Sequence, residues 1–277
     1  MFAGPLSGVR YNTCMSIFDG LVLGILQGLT EFIPVSSSGH LVIAQHFLGV
    51  QTSPVFDSLV NLGTFLALVI YFRKRLWEIA VRLFTKHDIR LVRNLIISAL
   101  PVGLAGVLLK GFFESSYIQS AWVVTVMLLA LGVVMLVLDK LPQASTVKSE
   151  EDLSPKRAAL IGLAQMLALL PGTSRSGSTI IAGRLAGLSY ERAAEYSFLL
   201  SIPVMFGVVI MGLVGHEGRQ FIHDNFAVWA VSNVAAFVFG LAAVGFMLRF
   251  LAKGNLKGFG VYRIVLAAIV IITLVVI

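Results

Sequence analysis

The chain contains the stretch Pro171-Gly172-Thr173-Ser174-Arg175-Ser176-Gly177-Ser178-Thr179, a polar turn between two apolar segments. A guanidinium in such a place needs a partner, because an isolated charge in the membrane interior costs several kcal/mol. A second polar turn lies upstream and reads Gln27-Gly28-Leu29-Thr30-Glu31-Phe32-Ile33-Pro34-Val35-Ser36-Ser37-Ser38-Gly39-His40. Together the two turns hold an anion-binding group, candidate nucleophiles and a proton carrier, which are the parts that phosphoryl chemistry requires.

The composition indicates an integral membrane protein. Of the 277 residues, 57% are hydrophobic and 13% are charged, whereas soluble domains carry about 25% charged residues. Apolar runs of roughly twenty residues recur along the whole length, which predicts a single membrane domain over residues 1–277. The formal charge of +7 fits loops held against anionic lipid, and the basic residues form no nucleic-acid-binding face. The lone Cys14 excludes a disulfide framework.

The apolar segments fall into two classes. Six are long enough to span a membrane, namely roughly 54–72, 94–113, 121–138, 192–214, 227–248 and 261–277. Four shorter segments form two pairs, about 17–33 with 39–49 and 157–171 with 177–187, and a polar turn interrupts each pair. Such interrupted segments in both halves of a chain are typical of discontinuous helices around a binding site. We therefore predict an all-α polytopic membrane protein in which each pair forms a re-entrant helix hairpin.

The basic residues orient these segments. They concentrate in 73–93, 139–157 and 249–257, whereas the loops 114–120 and 215–226 hold only Arg219. Because cytoplasmic loops carry an excess of Lys and Arg, the three basic stretches 73–93, 139–157 and 249–257 are predicted to be cytoplasmic. Both termini are then predicted to be non-cytoplasmic. Each half then has one hairpin and three transmembrane helices. The first hairpin opens from outside and the second from inside, so their tips are expected to meet near the midplane. The second half, about 157–277, is therefore predicted to be an inverted repeat of the first, about 16–138.

Two further patterns support this layout. At a constant offset of 138 residues, small or polar residues recur in the two halves: Gly24, Gln27, Ser36, Ser38 and Gly39 match Gly162, Gln165, Ser174, Ser176 and Gly177. Within 73–93, apolar and basic residues alternate at helical spacing, which predicts an amphipathic helix on the inner leaflet, with a solvated loop as the alternative.

The turns carry candidate phosphate-binding groups. New half-helices are predicted after Gly39 and Gly177, and helix N-termini attract anions through their free amides and their positive dipole end. Arg175 adds a guanidinium that can bind phosphate oxygens bidentately. The hydroxyls expected to donate to phosphate oxygens or to close the turns are those of Ser36, Ser38, Ser174, Ser176 and Thr179.

Glu31 lies one helical turn after Gln27, on the same face. In a phosphate site this pair would hold a divalent cation or orient water, because hard cations take oxygen ligands and bridge phosphate oxygens. His40 is a candidate nucleophile or general acid/base, since histidine titrates nearest neutrality. Ser37, activated by His40, is the alternative nucleophile.

Structural roles are the alternative for several of these residues. Glu31 and Arg175 could form a buried ion pair without a catalytic role. Asp57, just after Ser53-Pro54 at a helix start, is interpreted as a cap rather than a ligand. Arg184 either reaches the pocket or extends to the membrane surface.

The two turns resemble the signature motifs of the bacterial undecaprenyl-diphosphate phosphatases of the bacitracin-resistance type. The first motif, Glu/Gln-x-x-x-Glu running into Pro-x-Ser-Ser-x-Gly-His, corresponds to Gln27 through His40. The second, Pro-Gly-x-Ser-Arg-Ser-Gly-x-Thr, corresponds to Pro171 through Thr179. The similarity in hydropathy pattern extends from about Ile17 to the end of the chain.

The resemblance implies hydrolysis of undecaprenyl diphosphate to the monophosphate carrier of peptidoglycan synthesis, with a divalent cation, Mg²⁺ or Ca²⁺. It implies functional roles for Gln27, Glu31, Ser37, His40 and Arg175. It also implies an inverted repeat in the bacterial inner membrane, with a pocket open to the periplasmic side. Many members have a first glutamate where this chain has Gln27, which puts in doubt any mechanism that needs two carboxylates.

Two other functions fit parts of the pattern. A lipid-carrier flippase would use the same headgroup pocket, since inverted repeats and broken helices are a transporter layout. An intramembrane serine protease using Ser37 and His40 would leave Arg175 and Glu31 unexplained. The expected partners are a polyprenyl diphosphate lipid and membrane lipids, without nucleic acid, and a homodimer is left open beside a monomer.

Overall fold

The structure is a computed structural model that describes residues 15–50, 52–113, 115, 117–118, 120–138, 140 and 145–276. The predictions made for residues 1–14, including the isolated Cys14, lie outside these residues. Over the described part of the chain, the regular secondary structure consists of helices, which confirms the all-α class.

The helices follow one another in chain order with short connections. In the first half they are α1 (Ile17–Phe32), α2 (Ser37–Leu48), α3 (Pro54–Leu59), α4 (Asn61–Tyr71), α5 (Arg73–Lys86), α6 (Arg90–Leu108), α7 (Lys110–Phe113) and α8 (Ala121–Leu138). In the second half they are α9 (Pro155–Met166), α10 (Arg175–Leu185), α11 (Tyr190–Val214), α12 (His216–Asp224), α13 (Phe226–Leu251) and α14 (Lys257–Val276).

Helix pairs occupy the positions of both predicted hairpins. α1 and α2 contact each other across the first polar turn, and α9 and α10 do so across the second. Pro34 and Pro171 lie in these turns, where proline ends a helix because it has no backbone N–H to donate. The second helix of each pair begins at Ser37 and at Arg175, two residues earlier than predicted.

Within the residues that the structure describes, four helices, α6, α8, α11 and α13, are long and apolar enough to cross a membrane. The segment predicted at 54–72 is not one straight helix, because the chain breaks at Val60 between α3 and α4. This segment and α5 form a bent pair, with an angle of 66° between their axes.

Two other predicted boundaries were wrong. The segment predicted at 94–113 begins earlier, at Arg90, and its main helix ends at Leu108 before the short α7. The predicted loop 215–226 contains the helix α12. The segment predicted at 261–277 is covered by α14 as far as Val276.

α5 confirms the helix predicted within 73–93 and excludes a plain loop there. Leu76 and Ile79 pack against the core, whereas Trp77 and Phe84 are largely exposed. Basic side chains and exposed aromatic rings on one helix are typical of an element that lies in a membrane interface. Its position on the inner leaflet stays a prediction.

The backbones of α1 and α13 approach each other closely. A Cβ atom added to Gly24 would lie 2.2 Å from the carbonyl oxygen of Ser232. One added to Gly28 would lie 2.7 Å from that of Ala236. Small residues allow such an approach. In lipid the hydrophobic effect does not drive helices together, so close packing of this kind is what stabilises their association. This packing fixes α1 and, with it, the start of the first polar turn.

A cluster of charged residues joins α5, α11 and the short turn Glu150–Asp152. The buried Glu150 carboxylate lies 3.6 Å from the Arg75 guanidinium and 3.3 Å from that of Arg192. Glu195 bonds the same two arginines. Burial first, and the neighbouring Glu195 second, raise the pKa of Glu150 to about 7. Two of the three segments predicted to be cytoplasmic, 73–93 and 139–157, therefore meet α11 in one cluster.

We expect Glu150→Gln to flatten the pH dependence of thermal stability. Because the folded state raises the pKa of Glu150 above the ordinary 4.5, this carboxyl binds more protons in the folded than in the unfolded protein. Its contribution to stability is full below pH 4.5 and is lost as the pH rises towards 7. The native melting temperature should therefore fall by a few degrees more than that of the variant over this range.

Thermal unfolding of detergent-solubilised protein at a series of pH values measures this difference. Glu78→Gln is the matched control, because the Glu78 side chain also lies beside Arg75 but is 59% exposed. Equal slopes for the native protein and Glu150→Gln would contradict the raised pKa.

Candidate active site

The two polar turns are built alike. Ser36 and Ser174 adopt φ values of 74° and 71°, which residues other than glycine rarely do. Each caps the following helix, since Ser36 Oγ accepts from Gly39 N at 3.3 Å and Ser174 Oγ accepts from Gly177 N at 3.2 Å. Backbone conformations of this kind concentrate at functional sites, where the surrounding structure enforces them.

The tips of the two turns touch, as the sequence predicts. The Arg175 guanidinium forms an ion pair with the Glu31 carboxylate. Gly172 N donates to Ser38 Oγ at 3.4 Å, and Ser176 Oγ donates to the carbonyl oxygen of Ile33 at 3.4 Å. Residues far apart in sequence thus form one polar junction within an otherwise apolar helical protein.

Glu31 is the centre of this junction. Besides Arg175, its carboxylate accepts hydrogen bonds from Ser37 Oγ at 2.6 Å and from Gln27 Nε2 at 3.1 Å. The same Gln27 nitrogen donates to Asn61 Oδ1 at 3.1 Å. Because a carboxylate only accepts, the amide nitrogen of Gln27, not its carbonyl, faces Glu31. In this arrangement Gln27 orients Glu31, and its role as a cation ligand stays a prediction.

A cavity of about 260 Å³ opens at the junction. Its polar lining residues include Glu31, Ser36, Ser37, Ser38, Ser174 and Arg175. Its apolar lining residues include Leu41, Val102, Leu169, Val204, Met205 and Val208. Pockets of this kind suit a ligand with an anionic head and a hydrocarbon tail.

Asp57 lines the same cavity, which the sequence interpretation missed. Ser53, not Asp57, is the N-cap of α3, since its Oγ accepts from Phe56 N at 3.3 Å. The Asp57 carboxylate accepts from Thr52 Oγ1 at 3.2 Å. The interpretation of Asp57 as a cap was therefore wrong. A sequence signal was available, because Asn61 follows Asp57 by one helical turn and shares its face.

Two of the predicted phosphate-binding hydroxyls do not line the cavity. Ser176 is buried and bonds across to the first turn. Thr179 Oγ1 lies 2.8 Å from the carbonyl oxygen of Arg175 and 2.6 Å from Ser197 Oγ. Both hydroxyls are used in packing the second turn, because buried hydroxyls bond to nearby carbonyls when no ligand is in reach.

His40 also lies outside the cavity lining. Its Nδ1 is 2.8 Å from the carbonyl oxygen of Ser36, so this nitrogen carries the proton. Its Nε2 is 2.6 Å from the Tyr262 hydroxyl, and the two rings stack with centroids 5.6 Å apart. The structure brings Glu31, Ser37 and Arg175 together, but it turns the imidazole towards α14.

Two other arginines do not line the cavity. Arg184 donates to the carbonyl oxygen of Leu188 at 2.7 Å and does not line the cavity. Arg263, which the sequence interpretation passed over, is completely buried on α14. An arginine inside an apolar span is itself a signal of function or of a specific partner.

Comparison with known proteins places the chain. A family described as bacitracin resistance protein BacA matches residues 20–269. The chain belongs to this family. An undecaprenyl-diphosphatase of Clavibacter michiganensis subsp. michiganensis is 36% identical over 272 residues, covering 94% of this chain and 97% of the relative. Undecaprenyl-diphosphatase 1 of Agrobacterium fabrum is 37% identical over 264 residues, covering 95% and 98%. An undecaprenyl-diphosphatase of Nitrosospira multiformis is 38% identical over 261 residues, covering 93% and 94%.

Membership of the bacitracin resistance family confirms the resemblance that the two polar motifs indicate. The matched range contains both turns and most of α14. Glu31, Ser37 and Arg175 therefore all lie within the region shared with the family. The chemical roles of these side chains are not set by the match and depend on the geometry.

Proposed function

We propose that the protein hydrolyses undecaprenyl diphosphate to undecaprenyl phosphate and inorganic phosphate, and so recycles the lipid carrier of peptidoglycan synthesis. The observation that carries this proposal is the contact of Ser37 with Glu31, which pairs with Arg175 in a cavity lined by these polar groups and by apolar side chains. Relatives that cover almost the whole chain are named undecaprenyl-diphosphatase.

Ser37 is the nucleophile in this proposal. Its Oγ attacks the terminal phosphorus while its proton passes to Glu31, which lies within hydrogen-bond reach at 2.6 Å. The bond from that phosphorus to the bridging oxygen breaks, and the prenyl monophosphate leaves with the electron pair. Water then hydrolyses the phosphoserine, which releases phosphate and restores the Ser37 hydroxyl.

Arg175 stabilises the charge that develops on the transferred phosphoryl group. As Glu31 takes up the serine proton, it loses the negative charge that holds the guanidinium, so Arg175 is released towards the phosphate oxygens. The N-terminal amides of α2 and α10 lie in the same junction and add positive dipole ends. Ser37, Glu31 and the helix amides are in place before the reaction, and Arg175 lies beside them, which is the positioning that phosphoryl transfer requires of an enzyme.

The residues present fit a divalent cation that enters with the substrate. In the described part of the chain, no three His, Cys, Asp or Glu side chains converge on one point. The cavity does hold the carboxylates of Glu31 and Asp57, and Mg²⁺ is commonly held by one or two carboxylates together with phosphate oxygens and water. We propose these two residues as its protein ligands. The cation, Mg²⁺ or Ca²⁺, would neutralise charge on the diphosphate.

We also propose how the chain is arranged in the membrane. The equivalent caps at Ser36 and Ser174, 138 residues apart, support an inverted repeat of about 16–138 and about 157–277. Each half would have a re-entrant hairpin and three transmembrane helices in the bacterial inner membrane. The cavity would open to the periplasmic side.

Phosphate release from purified protein in detergent micelles tests the proposed reaction. A flippase moves its lipid without breaking a bond, so it liberates no phosphate under these conditions. The expected result is stoichiometric phosphate and undecaprenyl phosphate, dependent on a divalent cation and abolished by chelation. Folded protein that binds the lipid but releases no phosphate would refute the reaction and favour the flippase. Sedimentation of the same sample decides between a monomer and a homodimer.

We expect His40→Gln to lower kcat for phosphate release by no more than about tenfold. A general acid or base contributes about 10²–10⁴-fold, whereas His40 lies outside the cavity and bonds Ser36 and Tyr262. Tyr262→Phe, which removes only the hydroxyl that contacts Nε2, is the matched control. A loss of about 10³-fold in folded His40→Gln would show that the imidazole takes part in the reaction.

A further inference from the structure

Arg263 on α14 contacts both polar turns. The side chain has no exposed surface. Its guanidinium donates to four backbone carbonyls, namely those of Pro34 at 3.3 Å, Met127 at 3.1 Å, Gly172 at 2.8 Å and Thr173 at 3.2 Å. Three of these carbonyls belong to the turns, and the fourth belongs to α8.

No carboxylate among the described residues pairs with this guanidinium. An uncompensated buried charge is costly in a membrane protein. The carbonyls around Arg263 reduce this cost, because Pro34 follows the C-terminal end of α1 and Gly172 follows the helical segment that ends α9. The C-terminal end of a helix is the negative end of its dipole, so one cation caps the first helix of both hairpins.

The contacts of Arg263 set the spacing of the catalytic tips. Pro34 lies three residues before Ser37, and Thr173 lies two residues before Arg175. We propose that Arg263 is a positioning residue, which locks the two turns so that Ser37 and Arg175 face the same phosphoryl group. Arg263 itself does not line the cavity. The expected loss of kcat rests on the proposed function. The expected change in the separation of the two hairpins does not.

Other contacts hold the turns, so loss of Arg263 should loosen the tips without unfolding the chain. Gly172 packs against α8 so closely that a Cβ atom there would lie 2.4 Å from the carbonyl oxygen of Val124. The direct bonds between the turns, such as Gly172 N to Ser38 Oγ, also remain. A shift of about 1 Å at the tips is enough to cost about 10²-fold in rate, since the reacting groups must be aligned.

The kinetic test uses Arg263→Met and Arg263→Lys. We expect Arg263→Met to lower kcat by about 10²-fold with KM changed by less than about threefold, because the binding groups are intact but misaligned. Arg263→Lys keeps the charge but not the forked guanidinium that contacts both turns, so we expect its kcat to fall by about tenfold. Arg249→Met is the matched control, because Arg249 also donates to a backbone carbonyl, that of Gly245 at 2.9 Å, away from the cavity.

The structural test does not depend on activity. In a Cys14→Ser background, spin labels at Phe47→Cys on α2 and Leu185→Cys on α10 report the separation of the two hairpins, and both native side chains are largely exposed. We expect the distance distribution to broaden in Arg263→Met and not in Arg249→Met. An unchanged distribution, or a kcat within threefold of native, would overturn the positioning role. If Arg263→Met fails to fold, Arg263→Lys decides by the same two measurements.

Discussion

Ser37→Ala is expected to lower kcat for phosphate release by about 10³-fold or more, while the protein remains folded. The reason is that Ser37 is the hydroxyl that both lines the cavity and touches the Glu31 carboxylate, at 2.6 Å. Without it, water would have to attack the phosphorus directly.

Ser38→Ala is the matched control for this prediction. Ser38 lines the same cavity, but its Oγ contacts Ser36 Oγ and Gly172 N rather than a carboxylate. We expect a loss of about tenfold or less, the usual scale of one neutral hydrogen bond. Both substitutions remove one hydroxyl from the first turn of α2, so helix propensity and volume do not explain a difference between them.

Phosphate release and rapid-quench detection of phosphoserine measure the effect. Native protein should form a phosphoserine at position 37, and Ser37→Ala should form none. If Ser37→Ala stays within tenfold of native, water is the nucleophile and Glu31 its base. A phosphohistidine at position 40 would refute the assignment to Ser37.

The sequence is sufficient to predict that the two turns meet. In an apolar chain, Glu31 and Arg175 are costly unless paired, and each sits at a break between short apolar segments. The same reasoning predicts the helix pairs on either side of each turn. These features depend on local residue types, on the positions of proline and glycine, and on the cost of burying charge. All three can be read from the amino-acid sequence alone.

The orientation of His40 could not be predicted in the same way. Ser36, with its positive φ, sets the rotation of α2 about its own axis, and no residue pattern specifies that rotation. Asp57 reaches the cavity because the helix breaks at Val60 and because α3 packs beside α11. Both depend on tertiary packing. Arg263 is a different case, since a lone arginine in an apolar span was visible and went unused.

The second large effect concerns the ion pair of Glu31 with Arg175, whose side chains are only 10% and 14% exposed. We expect Arg175→Met and Glu31→Gln each to lower kcat by about 10³-fold or more, since an arginine that stabilises phosphoryl transfer is worth about 10³–10⁵. Each single variant should also lose stability, because it leaves a largely buried charge without its partner, at a cost of about 3–5 kcal/mol.

The double variant Glu31→Gln with Arg175→Met separates function from structure. It removes both charges, so thermal stability should return to near the native value. Phosphate release should not return, because neither the proton acceptor for Ser37 nor the phosphate-binding guanidinium is present. Melting temperature and phosphate release are measured on the same detergent-solubilised sample for all four proteins.

A purely structural ion pair makes the opposite prediction for activity. If the pair only holds the hairpins together, a double variant that regains stability must also regain phosphate release to within about tenfold, as the tips would again be aligned. Stability that recovers without activity, together with an unchanged spin-label distance between Phe47→Cys and Leu185→Cys, shows that the two charges act on the substrate and do not only align the tips. The thermodynamic cycle therefore tests the catalytic role of the pair independently of the nucleophile, and its outcome does not depend on which cation accompanies the diphosphate.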